Sequence, residues 1–121
     1  MTQISNNKQY DLEDRTLKFA KTIIRFINKL PKTISNIEIA RQLIRSAGSI
    51  GANYIEANES LSKKDFIMRI KICKKEAKES RYWLNLIEII KNPELDEERL
   101  NYLQETTELM KIFGSILEKI K

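Results

Sequence analysis

Histidine is absent from the 121 residues, and so is valine. Without histidine the usual general base and the commonest metal ligand are both missing. A di-iron centre of the ferritin-like kind, which needs Glu-x-x-His pairs, is thereby excluded. Cysteine occurs once, as Cys73, so no intramolecular disulfide can form and a reducing compartment is expected. Cys73 falls on a core-facing helical position with no His partner, which makes it a packed thiol rather than a nucleophile. Only three glycines and two prolines leave few points where the chain must turn. Gly48 and Gly51 have neither the spacing nor the following Lys-Ser/Thr of a phosphate-cradling loop. No apolar run approaches the roughly 18 residues that span a bilayer. Met1 to Tyr10 lacks the basic and apolar regions of a signal peptide. These absences predict a cytoplasmic, non-enzymatic protein with no metal, no cofactor and no membrane partner.

What remains is rich in charge, at 32%, and in Ile, Leu, Lys and Glu. Isoleucine favours strands, so composition leaves the class open and periodicity has to decide. Leu17, Ala20, Ile23, Ile24, Ile27 and Leu30 recur at helical steps over residues 12–30, with Asp11 as N-cap and Pro31 as terminator. A second helix is predicted from Ser35, where Ser35-Asn36-Ile37-Glu38 reads as a capping box. Its face is Ile37, Ala40, Ile44, Ala47, Gly51 and Ile55, widened by Leu43, Ile50 and Tyr54. Ser62-Lys63-Lys64-Asp65 opens a third, carrying Phe66, Ile70, Cys73, Ala77, Leu84 and Ile87 as far as Lys91, where Asn92-Pro93 breaks it. The fourth is predicted from Asp96, with Leu100, Leu103, Met110, Phe113, Leu117 and Ile120 as its stripe. Short connections make consecutive helices antiparallel neighbours. The expected fold is all-α: an antiparallel up-down-up-down four-helix bundle over residues 11–121, preceded by ten residues without order.

Glycine inside the second helix costs roughly 1 kcal/mol per residue relative to alanine. The apolar spacing nevertheless stays in phase from Ile37 to Ile55, which predicts one continuous helix rather than a break at Gly51. Small side chains there would admit another element at close range, with Tyr82 and Trp83 the nearest large partners.

Charge is uneven. From Ser62 to Lys91 there are nine Lys/Arg against four Asp/Glu, and the rest of the chain holds thirteen of each. The net +5 therefore belongs to one helix. At 100° per residue one flank of it collects Lys64, Lys71, Lys74, Lys75, Lys78 and Arg81, with Tyr82 among them. Point charges interleaved with a ring suit a phosphate backbone, and lysine in excess of arginine favours nonspecific contacts over base readout. The opposite flank carries Ile72, Glu76, Glu79, Trp83 and Ile90. A tryptophan between isoleucines, beyond the arc one core can cover, predicts an interface between copies of the chain.

The stretch Arg41-Gln42-Leu43-Ile44-Arg45-Ser46-Ala47-Gly48-Ser49-Ile50-Gly51-Ala52-Asn53-Tyr54-Ile55-Glu56-Ala57 completes the picture. Together with Ser62-Lys63-Lys64-Asp65-Phe66 and Lys75-Glu76-Ala77-Lys78-Glu79-Ser80-Arg81-Tyr82-Trp83-Leu84, it resembles the four-helix-bundle family named for open reading frames in 23S rRNA intervening sequences. Gly48 stands where other members often carry Thr. The resemblance runs from about Asp11 to Lys119 and implies a ring-shaped homopentamer. A related branch, the accessory proteins of diversity-generating retroelements, implies by analogy RNA and a reverse transcriptase as partners. The leading expectation is an oligomeric RNA-binding bundle; the alternative is a protein-interaction scaffold, such as an accessory factor of a reverse transcriptase.

Overall fold

Helix boundaries in the computed structural model, which describes residues 2–120 with side chains from Asp11 onward, are set by caps written into the sequence. Helix α1 spans Thr2–Ile27, α2 Ile34–Asn58, α3 Lys63–Leu86 and α4 Pro93–Lys119, and no strand occurs among the described residues. Ser62 caps α3 as its motif predicts, its hydroxyl accepting from the Asp65 amide at 3.1 Å.

Five other boundaries differ from the sequence reading. Helix α2 is capped by Thr33, whose hydroxyl accepts from the Asn36 amide at 3.1 Å, so Ser35 lies inside the first turn. The Asn36 side chain is committed elsewhere, to Pro31 and Glu88, and this draws the helix start back. Helix α3 stops at Leu86 rather than Lys91, because the Asn36 amide holds the backbone N–H and C=O of Glu88 out of the helical ladder. Lys91 adopts a left-handed φ of 58°, and Asn92 then caps α4 through the Leu95 amide at 3.1 Å. Asn92-Pro93 thus begins a helix three residues before Asp96, with Pro93 in the first turn, where its missing N–H is no loss. Helix α1 ends at Ile27, and two turn bonds, Lys29 N–H to Phe26 O and Leu30 N–H to Ile27 O, carry the chain to Pro31. At its other end the helix is continuous from Thr2, so Asp11 lies within it and is no N-cap. No glycine or proline between Thr2 and Tyr10 interrupts helical backbone. The expected lack of order over the first ten residues concerns Met1 and side chains that lie outside the described residues.

Consecutive helices run antiparallel, as cross-helix pairs record. Ser46 meets Ser80 at 2.8 Å and Arg69 donates to Asn53 at 2.9 Å, which pins α2 against α3. Asn58 donates to Glu13 at 2.9 Å between α2 and α1. Packing is most extensive between α2 and α3 and thinnest between α1 and α4. The α1–α4 seam is closed by the two-pronged Arg15–Glu105 ion pair at 2.7 and 2.8 Å, by Lys29–Glu98 at 3.0 Å, and by edge-on packing of Phe26 against Tyr102.

The core contains Phe19, Ile23 and Phe26 of α1, Leu43, Ile50 and Tyr54 of α2, Ile70, Cys73, Ala77 and Leu84 of α3, and Leu109 and Phe113 of α4. For α3 this is the predicted face, with Phe66 half-buried at its edge. Helices α1 and α2 are rotated from expectation. Leu17, Ile24, Ile37, Ile44 and Ile55 lie outside the core, exposed by 41 to 52%. Leu100 of α4 is exposed as well. Phe19, Phe26 and Tyr54 take the centre instead, because rings bury more apolar area than the aliphatics beside them.

Helix α2 is continuous through both glycines. A Cβ at Gly51 would lie 2.9 Å from Thr16 Oγ1, so the close neighbour is α1, not Tyr82 or Trp83. Thr16 is buried and already hydrogen-bonded to Leu12 O and Glu13 O, which leaves it no room to yield. A Cβ at Gly48 would meet no atom of another element within 4 Å among the described residues. Gly48→Ala is therefore expected to stabilise the protein by about 1 kcal/mol, and Gly51→Ala to give no gain or a loss. Urea denaturation of the two variants tests this, and equal shifts would contradict the assigned helix contact.

Candidate nucleic-acid interface

The outer surface of α3 is set by what its inner surface buries. With Ala77 and Ile70 facing the core, residues one-third of a turn away look toward α2 or α4, and the remainder faces water. Ser80, Cys73 and Arg69 contact α2, the Cys73 thiol donating to Ile50 O at 3.4 Å. Lys74 lies on the other side, its ammonium nitrogen 3.6 Å from where a Cβ on Gly114 of α4 would sit. Between these seams Lys64, Lys71, Lys75, Lys78 and Tyr82 form a single lane, at steps of seven, four, three and four residues. At 1.5 Å per residue the lane is about 27 Å long. Arg81 and Lys74 flank it along the α3–α4 seam.

All six predicted cations are exposed. Lys75 approaches Glu79 at 4.0 Å, a solvated i,i+4 pair. Lys64, Lys71, Lys74, Lys78 and Arg81 form no ion pair among the described residues; of the α4 carboxylates, Glu105 pairs with Arg15 of α1, Glu98 with Lys29 just past that helix and Asp96 with Arg99 of its own helix. Ile67, Met68 and Ile72 sit between Lys64, Lys71 and Lys75, so the lane alternates charge with apolar surface. Tyr82 is 59% exposed, and its ring packs edge-on against Trp83 with centroids 5.1 Å apart at 74°.

The other flank of α3 is occupied within the bundle. Glu76 is buried, with Arg45 of α2 at 3.5 Å, and Arg45 donates to Glu79 at 2.8 Å. Trp83 is half-buried against the core, and its indole N–H is enclosed with no hydrogen-bond partner among the described residues. Ile72 is half-buried. Ile90 is not on α3 at all; it stands in the segment joining α3 to α4 and is 70% exposed. The larger exposed aliphatic surface is one that sequence reasoning assigned to the core. Leu17 and Ile24 of α1 and Ile37, Ile44 and Ile55 of α2 lie on the flanks facing the α1–α2 seam, where Ile27, Ala40 and Ile44 share one groove. A periodic pattern marks an apolar arc without marking its centre, so nothing in the spacing separated this strip from the core.

Among the described residues no group of three or more His, Cys, Asp or Glu is placed to hold a metal ion. No helix among the described residues is long and apolar enough to cross a membrane. Burial pushes the Cys73 thiol from 9.0 up to about 12. The folded protein is therefore expected to resist iodoacetamide at pH 8 and to react once unfolded in urea. Because the unfolded thiol ionises first, its contribution to stability is whole below pH 9 and declines as the pH rises from there toward 12. Rapid native alkylation would contradict this placement.

A family model described as 23S rRNA-intervening sequence protein matches residues 8–115. Among solved structures, the chain is similar to a protein of unknown function from the S23 ribosomal protein family of Bacteroides thetaiotaomicron, at 32% identity and a TM-score of 0.77. That alignment covers 92% of this chain and 98% of the other. No curated protein matches.

Proposed function

The chain belongs to the 23S rRNA-intervening sequence protein family, and on that premise we propose that it is a non-enzymatic, oligomeric bundle that binds RNA along the lysine lane of α3. One observation carries the reading: the lane concentrates exposed cations on a rod about 27 Å long, and among the described residues the one ion pair they make is the stretched contact of Lys75 with Glu79 of the same helix. Such a surface gains affinity by releasing counterions from phosphates. Lysine supplies point charges rather than bidentate forks, so the binding is electrostatic and tolerant of sequence. A fluorescein-labelled, structured RNA titrated at 50 and 200 mM KCl tests the reading. With four to six phosphates neutralised, affinity is expected to fall by roughly 50- to 1,000-fold across that range. Absence of binding at 50 mM KCl defeats it.

Assembly is the second part of the reading, and the α1–α2 strip supports it. The strip repeats aliphatics at seven-residue spacing, Leu17 with Ile24 and Ile37 with Ile44, and extends about 27 Å from Ile37 to Ile55. Small residues Ala20, Ala40 and Gly48 lie between them, which lets another helix come close. Each half-exposed aliphatic covered by a second copy contributes about 1 kcal/mol. In a pentameric ring, which the family resemblance implies, such a strip meets a different face of the next subunit, a heterologous contact that closes the ring. By light scattering the protein is expected to exceed 14.2 kDa severalfold, and Ile37→Glu with Ile44→Glu to return it to monomer mass with helical content intact. A scaffold for a reverse transcriptase remains the alternative; the same exposed strip would serve a protein partner if the purified chain proves monomeric.

A further inference from the structure

We infer that the RNA taken by the lane is single-stranded, with an unpaired base stacked on Tyr82; this rests on the proposed function and narrows its ligand. Tyr82 is the one aromatic ring on the lane, and it stands where a backbone held by the lysines would place its bases. Lys78 lies one helical turn before it and Lys75 two turns before it, about 6 and 10 Å along the axis. A strand whose phosphates follow Lys71, Lys75 and Lys78 thus arrives at Tyr82 within reach of its ring.

The ring is held ready. Its edge-on packing against Trp83 fixes its orientation, and Trp83 is itself half-buried against the core. Tyr82 is otherwise largely exposed, at 59%, which leaves ring surface for a planar partner. An exposed tyrosine ring on a cationic ridge offers the π-face on which an unstacked base can stack.

Beside the ring the α3–α4 seam opens into a polar groove lined by Arg81, Asn85, Leu100, Leu103, Gln104 and Thr107. Arg81 and Asn85 make no hydrogen bond to another side chain among the described residues, although the Gln104 amide is engaged with Glu108 at 2.7 Å. Arg81 and Asn85 flank Tyr82 at one residue before and three after, so their donors border the stacked base. A duplex offers none of this, because its bases are stacked on each other and its grooves conceal their faces. The lane's charge would attract either form; the ring and the groove select the unpaired one.

Fluorescence anisotropy on the full-length protein at 50 mM KCl separates the possibilities, with a labelled 16-nucleotide oligouridine and a blunt 16-base-pair RNA duplex as probes. Oligouridine is expected to bind at least ten-fold more tightly than the duplex. Tyr82→Ala should cost about ten-fold on oligouridine, leave the duplex unchanged and leave the salt slope unchanged, whereas Tyr82→Phe retains tight binding. Circular dichroism confirms that each variant folds, as an exposed side chain allows. If the duplex binds as tightly as oligouridine, or if Tyr82→Ala has no effect while Lys78→Gln weakens both probes, stacking is overturned and the lane reads backbone alone. If neither probe binds, the proposed function itself falls.

Discussion

Exchanging Lys71, Lys75 and Lys78 together for glutamate is expected to lower RNA affinity by at least about 100-fold at 50 mM KCl. The same variant should reduce the salt slope by about two, because three phosphate contacts of a single strand are lost at about 0.7 each. Its thermal stability should stay within about 1 kcal/mol of the parent. The reason lies in what these side chains do in the free protein. Lys71 and Lys78 form no ion pair among the described residues, and the solvated contact of Lys75 with Glu79 is a stretched one at 4.0 Å. Exposed pairs of that kind contribute little. Folding is thus insulated from the change, and binding is not. The control is a matched reversal of Lys21, Arg25 and Lys32, which are exposed on α1 and the α1–α2 connection. Net charge changes equally in the two variants, so equal losses would show that RNA responds to overall charge and not to the lane. An unchanged affinity in the α3 variant would remove the lane from the binding surface.

The lane was legible in the sequence for a simple reason. The lysines of this helix stay where the 100° step puts them, since solvation keeps their ammonium groups outside whatever the core does. The α3 core face was legible too, because Ile70, Cys73, Ala77 and Leu84 recur at steps of three, four and seven residues and are the residues found buried. On α1 and α2 two apolar arcs adjoin, and the spacing of Leu17–Ile24 is as regular as that of Phe19–Phe26. Only tertiary packing chooses between them, and it favours the rings. Boundaries failed where a polar side chain reached across the fold. Ser35-x-x-Glu38 satisfies a local rule, but Thr33 caps instead because Asn36 is held by segments 5 and 52 residues away in sequence. A capping box is a local statement, and this cap is decided at long range. The end of α3 failed for the same cause. Trp83 shows the converse: its position on the helix was right, and its half-burial against the core was beyond what one helix could tell.

Asn36→Ala is expected to destabilise the fold by about 3 kcal/mol and to lower the melting temperature by about 10 °C. Asn36 is 2% exposed and reaches two connections at one end of the bundle. Its side-chain amide donates to Pro31 O and to Glu88 O, each at 3.1 Å, and its side-chain oxygen accepts from the Glu88 amide at 3.2 Å. The α1–α2 connection is thereby tied to the segment that leaves α3. Alanine removes all three bonds and leaves backbone groups at a part-buried site without these partners, at about 1 kcal/mol each. Asn36→Asp separates the contributions. It keeps an acceptor for Glu88 N–H but sets a carboxylate against two carbonyl oxygens, so it should be at least as harmful as alanine at pH 7 and less so as the carboxyl protonates in acid. Hydrogen exchange gives an independent reading: the Glu88 amide, protected in the parent, should exchange freely in Asn36→Ala while amides in the middle of α2 and α3 stay slow. A variant that melts with the parent, with Glu88 still protected, would mean that some other group holds α3 to its end at Leu86.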